Sequence, residues 1–216
     1  TGELCDVFAE RAVGVETRLQ ILREQLDPNA AVQVFAGYRG WLAPEQLDHE
    51  AALAVASANW LALGALAAEL IGDGVLIDIG STTTDLIPIC GGEVAVRGVD
   101  DASRLAHDEL VFAGIVRTPV IAVCQSVPFS GQHHRLAAEV FATMADAYRL
   151  LDQLNDGDDL MPSADGCAKD KPGSARRLAR MLGGDYHAAE LPALTAVADY
   201  LVTTQRLLIE EALAVL

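Results

Sequence analysis

Positive charge is scarce in this sequence: 15 Lys and Arg stand against 31 Asp and Glu, a net charge of −16 over 216 residues. Such a field repels phosphate backbones and anionic headgroups, so nucleic acid and membrane surfaces are not expected as partners. Aromatic residues are few as well, 5 Phe, 4 Tyr and 2 Trp, which leaves little material for stacking bases. The four cysteines, Cys5, Cys90, Cys124 and Cys167, form no C-x-x-C pair. Neither a zinc knuckle nor a thioredoxin-type motif can be assembled, and a reducing, cytoplasmic setting is expected. The absence of G-x-x-x-x-G-K-[ST], of G-x-G-x-x-G after a strand and of G-x-S-x-G removes the P-loop, dinucleotide and serine-hydrolase signatures. There is no basic-then-apolar leader, and the first residue is Thr1 rather than Met, so a fragment or processed chain is expected.

What is present is enough apolar material for a core, 51% of residues, with 21% charged, the balance of a globular protein. Residues 51–68 carry no charge and have the length of a membrane span. Nine of the twenty residues 51–70 are Ala, and Glu50 and Glu69 flank the run where basic anchors would be needed. A single Ala-rich helix packed inside the protein is the expectation. Val15, Leu19, Leu22 and Leu26 predict an amphipathic helix before it. After it, a buried strand over 75–79, a second over 85–89 and a third over 93–97 read as an antiparallel meander, the last two joined at Gly91-Gly92. Further on, 109–113 and 120–124 read as strands, 135–154 as a helix with His133-His134 in the loop before it, and 172–182 and 191–216 as helices.

The first hairpin of that meander, GVLIDIGSTTTDLIPI over 74–89, is the most informative stretch. A turn centred between Ser81 and Thr82 pairs residues whose numbers sum to 163, so Asp78 faces Asp85. Like charges directly cross-strand cost roughly 0.2–1 kcal/mol, which invites a shared cation. Between them Gly80, Ser81, Thr82, Thr83 and Thr84 offer a close backbone approach, outward amides and hydroxyl donors, suited to an oxyanion or phosphate. A second feature is a basic island: Lys169, Lys171, Arg176, Arg177 and Arg180 place five of the fifteen basic residues in twelve positions. Arg176 and Arg180 fall on one helix face with Arg177 beside them. Two readings stay open, a clamp for an anionic group with bidentate Arg contacts, or a solvated face whose charges suit the helix C-terminus.

The octet Asp78-Ile79-Gly80-Ser81-Thr82-Thr83-Thr84-Asp85 resembles the second phosphate-binding hairpin of the actin, sugar kinase and Hsp70 superfamily, in its hydantoinase/oxoprolinase-like form. Thr1-Gly2-Glu3-Leu4-Cys5-Asp6, Ala58-Asn59-Trp60, Phe141-Ala142-Thr143-Met144-Ala145-Asp146, Ala164-Asp165-Gly166 and Arg177-Leu178-Ala179-Arg180-Met181 extend the likeness. Together they resemble the tetrahydromethanopterin-linked C1 transfer pathway family, whose archaeal members couple an activated aminomethylfuran to a tyramine phenol in methanofuran biosynthesis.

The resemblance implies a two-lobed, ribonuclease H-like α/β fold, with the rest of a first lobe and the Ala-rich crossover helix in 1–72 and a second lobe in 73–216. It implies a transferase that joins an aminomethylfuran pyrophosphate to a phenol oxygen and releases pyrophosphate. Asp78 and Asp85 would be catalytic, Asp78 a ligand of Mg²⁺, residues 80–84 the phosphate-binding turn, and Lys169, Arg176, Arg177 and Arg180 the hold on a substrate anion. Which carboxylate is base and which holds metal stays open, and the resemblance admits a nucleotide as a further ligand and a homodimer as the assembly. It offers two alternatives: ATP-dependent hydrolysis of a cyclic amide, and a binding module without catalysis. Its first phosphate hairpin and its closing Gly-rich segment find no counterpart between Thr1 and Leu216, so the expectation is a chain truncated at both ends, silent in catalysis and prone to associate.

Overall fold

A computed structural model describes residues 7–216 of the chain; the block Thr1–Asp6, with Cys5, lies outside the described residues. Tertiary contacts divide the chain into two compact units. One runs up to Leu76 and takes in Ile87–His107, and the other comprises Ile77–Leu86 and Asp108–Leu216. The division therefore crosses the hairpin of the candidate site and leaves its tip in the second unit.

In the first unit, helix α1 (Arg11–Gln25) packs on α2 (His49–Ala56) through Ala12, Val15, Ala52 and Ala56. Leu22 and Leu26, expected on the buried stripe of α1, are exposed. Strands β1 (Val34–Phe35) and β2 (Trp41–Leu42) form a small hairpin, closed by a ring contact between Phe35 and Trp41. The uncharged run does not make one helix. Ser57 ends α2, α3 begins at Asn59 and runs to Ile71, and the two axes differ by 60°. The Ser57 amide folds back on the Ala54 and Val55 carbonyls, and its hydroxyl accepts from Arg11 Nη1 at 3.2 Å, a local alternative to helical continuation. Among the described residues no single helix is long and apolar enough to cross a membrane. Gly64 lets α3 approach the sheet, since a Cβ there would sit 3.0 Å from Ile87 Cγ2. The resulting core holds Trp60, Leu61 and Ile87 with Phe35, Leu76, Val94 and Val96. Arg104, on α4 (Asp101–Ala106), is buried over the Trp60 ring at 4.0 Å.

The sheet follows the expected order. β3 (Gly74–Ile79) pairs with β4 (Thr84–Cys90), whose far end pairs with β5 (Glu93–Val94) and whose near end pairs with β6 (Leu110–Val111). Two expectations need correction. β5 stops at Val94 instead of reaching Arg97, and β3 is not a buried strand, because Val75, Ile77 and Ile79 are all exposed. An apolar run reads as buried, but burial requires a neighbour over each face, and the described elements leave the odd-numbered face of β3 uncovered.

The second unit carries the larger core, with Val120, Val127, Met144, Leu150, Leu178, Met181, Leu194 and Leu201 at its centre. Around it lie α5 (Val120–Val123), the hairpin β7 (Ser126–Phe129) and β8 (Gln132–Arg135), α6 (Met144–Leu150), α7 (Lys171–Met181) and α8 (Leu191–Leu213). Three local expectations fail here. Residues 120–123 form a helical turn where a strand was expected, with Pro119 at the N-cap position and its φ of −61°. His133 and His134 sit on β8, His134 edge-on to Phe129, so they are not a loop pair. The helix expected over 135–154 shortens to α6 because Thr143 starts it, its amide donating to Asp146 Oδ2 at 3.2 Å.

One buried polar chain ties this core to the hairpin. Gln205 on α8 donates from Nε2 to the Gly114 carbonyl at 2.9 Å and accepts from the Tyr148 hydroxyl at 2.8 Å. Burial pushes the Tyr148 hydroxyl up in pKa, which keeps it a donor. Replacing Gln205 with Leu leaves the Gly114 carbonyl and the Tyr148 hydroxyl unpaired in the interior. We expect a loss of roughly 1–3 kcal/mol, measured as a lower urea midpoint at unchanged slope.

Candidate functional site

The hairpin tip is closed by the Gly80 amide donating to the Thr83 carbonyl at 2.8 Å. That bond belongs to a turn centred between Ser81 and Thr82, and continuing its ladder sets Asp78 across from Asp85. The turn's carbonyls are held from the protein side. Gly80 O accepts from the Ile115 amide at 3.0 Å, and Ser81 O accepts from the Val116 and Arg117 amides at 3.1 and 2.8 Å. Thr84, fully buried, donates its hydroxyl to the Ala113 carbonyl at 2.8 Å. The loop that receives the turn is itself fixed, since the Gly114 amide donates to Thr118 Oγ1 at 2.8 Å. A Cβ on Gly114 would lie 2.4 Å from the Thr82 nitrogen and 2.5 Å from the Ser81 carbonyl carbon. Only glycine allows this approach. Asp78 and Asp85 are half-buried, and Ser81 is exposed with Thr82 and Thr83 partly so.

The basic island is organised differently from either open reading. Arg177 is not on a solvent face. It is fully buried and donates from Nε and Nη2 to Asp146 Oδ1 at 2.9 and 2.7 Å and from Nη1 to Asp165 Oδ1 at 3.0 Å. Arg176 and Arg180, both partly exposed, pair with the other oxygen of Asp165 at 3.4 and 3.1 Å. Lys169 donates to the Asp159 and Met161 carbonyls. Burial pushes the Asp165 carboxyl up, but the Cys167 amide and the Arg177 and Arg176 guanidiniums outweigh it and bring the group to about 2. Burial likewise disfavours the charge on Arg177, and its bonds to Asp146 and Asp165 more than restore it. The helix that carries these arginines starts at Asp170, which accepts from the Gly173 amide at 2.7 Å.

The loop that grips the turn and Lys169 of the island line one cavity. A cavity of about 260 Å³ in the second unit is lined by Val116 and Arg117 of the loop that grips the turn, by Asp146 and Arg149 of α6, and by Asp159 and Lys169 of the segment before α7. Sequence reasoning passed over Gly114, Arg117, Arg149 and Asp159. Asp146 and Asp165 fall within the segments that carry the family likeness, but nothing local marks them as the partners of Arg177. Of the described cysteines, Cys90 and Cys167 are exposed, and burial pushes the Cys124 thiol up, away from reactivity.

The whole of residues 1–216 matches the family described as hydantoinase/oxoprolinase. The chain belongs to that family. Hydantoinase/oxoprolinase proteins have the actin-like ATPase fold, in keeping with the mixed α/β units seen here. Within it the chain is similar to two proteins named (4-{4-[2-(gamma-L-glutamylamino)ethyl]phenoxymethyl}furan-2-yl)methanamine synthase. The protein from Methanocaldococcus jannaschii is 34% identical over 186 residues, 86% of this chain and 55% of the relative. The protein from Methanococcus vannielii is 34% identical over 111 residues, 51% of this chain and 50% of the relative. The chain spans about half the length of the curated relatives it matches.

For this hydantoinase/oxoprolinase chain, the donor set bears on the metal. Among the described residues no group of three or more His, Cys, Asp and Glu is gathered to hold one. Mg²⁺ is commonly held by one or two carboxylates together with substrate phosphates. Two facing aspartates beside a hydroxyl-rich turn fit that mode and do not fit an all-protein cage.

Two outcomes test this geometry. Gly114→Ala forces the turn and its loop apart, and we expect a loss of about 1–3 kcal/mol from overpacking, with the largest amide chemical-shift changes at Ser81 and Thr82. Because the Asp165 carboxyl titrates lower when folded than its unfolded value near ~3.9, its contribution is present above that value and lost as pH falls toward 2. Comparing urea midpoints between pH 5 and 2 should show this slope flattened in Asp165→Asn, by on the order of 1 kcal/mol once solvent screening is allowed for.

Proposed function

We propose that the protein of which this chain is part is a transferase. It joins the furan-bearing carbon of an aminomethylfuran pyrophosphate to the phenolic oxygen of a tyramine derivative. The support is the 34% identity to the two synthases, whose printed product contains that phenoxymethyl-furan ether and a gamma-L-glutamylaminoethyl arm, together with a turn suited to an anion. In the reaction the phenol oxygen forms a bond to the furan methylene carbon, the carbon–oxygen bond to pyrophosphate breaks, and the phenolic proton passes to a base. Charge collects on the departing pyrophosphate, so fixed donors aimed at it contribute most to the rate.

The chain's own residues divide these tasks. With the Gly80 and Ser81 carbonyls engaged by the 115–117 amides, the turn is left to meet the pyrophosphate with the amides and hydroxyls of Ser81, Thr82 and Thr83. One of Asp78 and Asp85 accepts the phenolic proton. Asp78, with Asp85 opposite it, would hold Mg²⁺, which would supply neutralisation of the pyrophosphate charge. Lys169, Arg176 and Arg180 keep the neighbourhood electropositive around Asp165 and Asp159.

Calorimetric titration of pyrophosphate with Mg²⁺ present tests the hairpin. Asp78→Asn and Asp85→Asn should each weaken binding by at least about tenfold, the scale of one lost charge-assisted contact, without lowering the thermal midpoint. Unchanged affinity in both variants removes the hairpin from the mechanism. The family description is consistent with one rival, ATP-dependent opening of a cyclic amide; ATP consumption that depends on a lactam, with no ether formed from the furan and phenol pair, would replace the coupling reading.

A further inference from the structure

Ion pairs run through the second unit as one continuous series. Arg176 and Arg180 meet Asp165, Asp165 meets Arg177, Arg177 meets Asp146, Asp146 meets Arg149, Arg149 meets Asp159 and Asp159 meets Lys169, with no step longer than 3.7 Å. Five cations thus share three carboxylates, a surplus of two positive charges in a chain whose net charge is −16. Most of the series cannot offer that surplus to a ligand. Arg177 and Arg149 are buried, and Lys169 is taken up by the Asp159 and Met161 carbonyls and the Asp159 carboxylate.

The two arginines at the Asp165 end differ. Their side chains are 37% and 43% exposed, and they stand one helical turn apart on the same face of α7. Each spends one nitrogen on Asp165 Oδ2, Arg176 Nη2 at 3.4 Å and Arg180 Nη1 at 3.1 Å. Among the described residues this leaves Nε and Nη2 of Arg180, the two nitrogens of its side-on fork, without a partner, and likewise Arg176 Nη1. Arg176 Nε is closed off from solvent and offers nothing. Asp165 cannot neutralise both arginines, because its Oδ1 already accepts from Arg177 Nη1 at 3.0 Å, the Cys167 amide at 3.1 Å and the Ser163 hydroxyl at 3.4 Å. Those same bonds fix the carboxylate, so both guanidiniums are tethered before a ligand arrives and little is lost in ordering them.

We propose that Arg176 and Arg180 form a binding site for a phosphoryl group, carried either by free phosphate or by the phosphate end of a small molecule. The open fork of Arg180 takes two of its oxygens in a bidentate contact. A third oxygen is left for Arg176 Nη1, and a dianion matches the surplus of two charges. A carboxylate has no third oxygen and half the charge. The site is separate from the turn at 80–84 and does not rest on the coupling reading.

The experiment is calorimetric titration without Mg²⁺ at about pH 8, where a phosphate group is mostly dianionic, with three probes: inorganic phosphate, phenyl phosphate and acetate. Both phosphates should bind saturably, and acetate at least about tenfold more weakly. Arg180→Gln removes the fork with its charge, Arg180→Lys keeps the charge and loses the fork, and Arg176→Gln removes the third contact. Each should weaken phosphate by at least about tenfold. The substituted side chains are exposed, so the thermal midpoint should stay in place, which confirms that a lost affinity is not a lost fold. Phenyl phosphate binding more tightly than phosphate assigns the site to the phosphate end of a larger molecule; binding no tighter assigns it to the free ion. Absence of saturable phosphate binding, acetate bound as well as phosphate, or full phosphate affinity in any of the three variants overturns the site. Phosphate held at the hairpin turn instead would give the last of these results.

Discussion

The second unit is organised by the burial of one charge. Arg177 has no exposed side-chain surface and reaches two carboxylates, Asp146 on α6 and Asp165 on the segment before α7. A guanidinium removed from water is tolerated only if its donors are met, and breaking such a pair from one side costs on the order of 3–5 kcal/mol. Three separate pieces of chain are therefore obliged to meet. Once they do, Ser174 donates to Asp146, Arg149 reaches Asp159, and Arg176 and Arg180 gather on the free oxygen of Asp165. The cavity is the space these obligations leave beside the apolar core.

The candidate turn depends on the opposite strategy, the removal of a side chain. Gly114 lets the Ser81-Thr82 backbone press against the loop at distances no Cβ permits, and the Tyr148–Gln205 pair on the core side holds the Gly114 carbonyl in place. Donors that must face an anion are useful only if they do not reorganise when it arrives. Here the five-residue run of Gly, Ser and Thr is braced by backbone bonds to 115–117.

Much of the local architecture was legible in the sequence because it is written in short-range chemistry. The meander over β3, β4 and β5 follows from alternating strand-formers and the Gly91-Gly92 turn, α7 follows from Asp170 and Pro172, and the hairpin register follows from the symmetry of Asp78 and Asp85 about Ser81-Thr82. The failures share a cause. The uncharged run reads as one helix because propensity is blind to a backbone turn at Ser57, and residues 135–143 look helical because their apolar spacing does not reveal that β8 and the Thr143 cap interrupt it. β3 reads as buried because apolar content says what could be covered, and says nothing of whether a neighbour arrives.

The sequence by itself determined the class of chemistry: an acidic α/β chain with a hydroxyl-rich turn between two aspartates, and basic residues concentrated where an acidic protein has few. These are properties of residue type and spacing over less than about four helical turns. Only the tertiary structure decided which of those charges are available. Arg177 became an interior brace, Arg149 and Lys169 came to line a cavity, and Gly114 became the surface on which the turn rests, because burial and pairing are set by which of the partners, 10 to 91 positions away in the chain, the fold brings into contact.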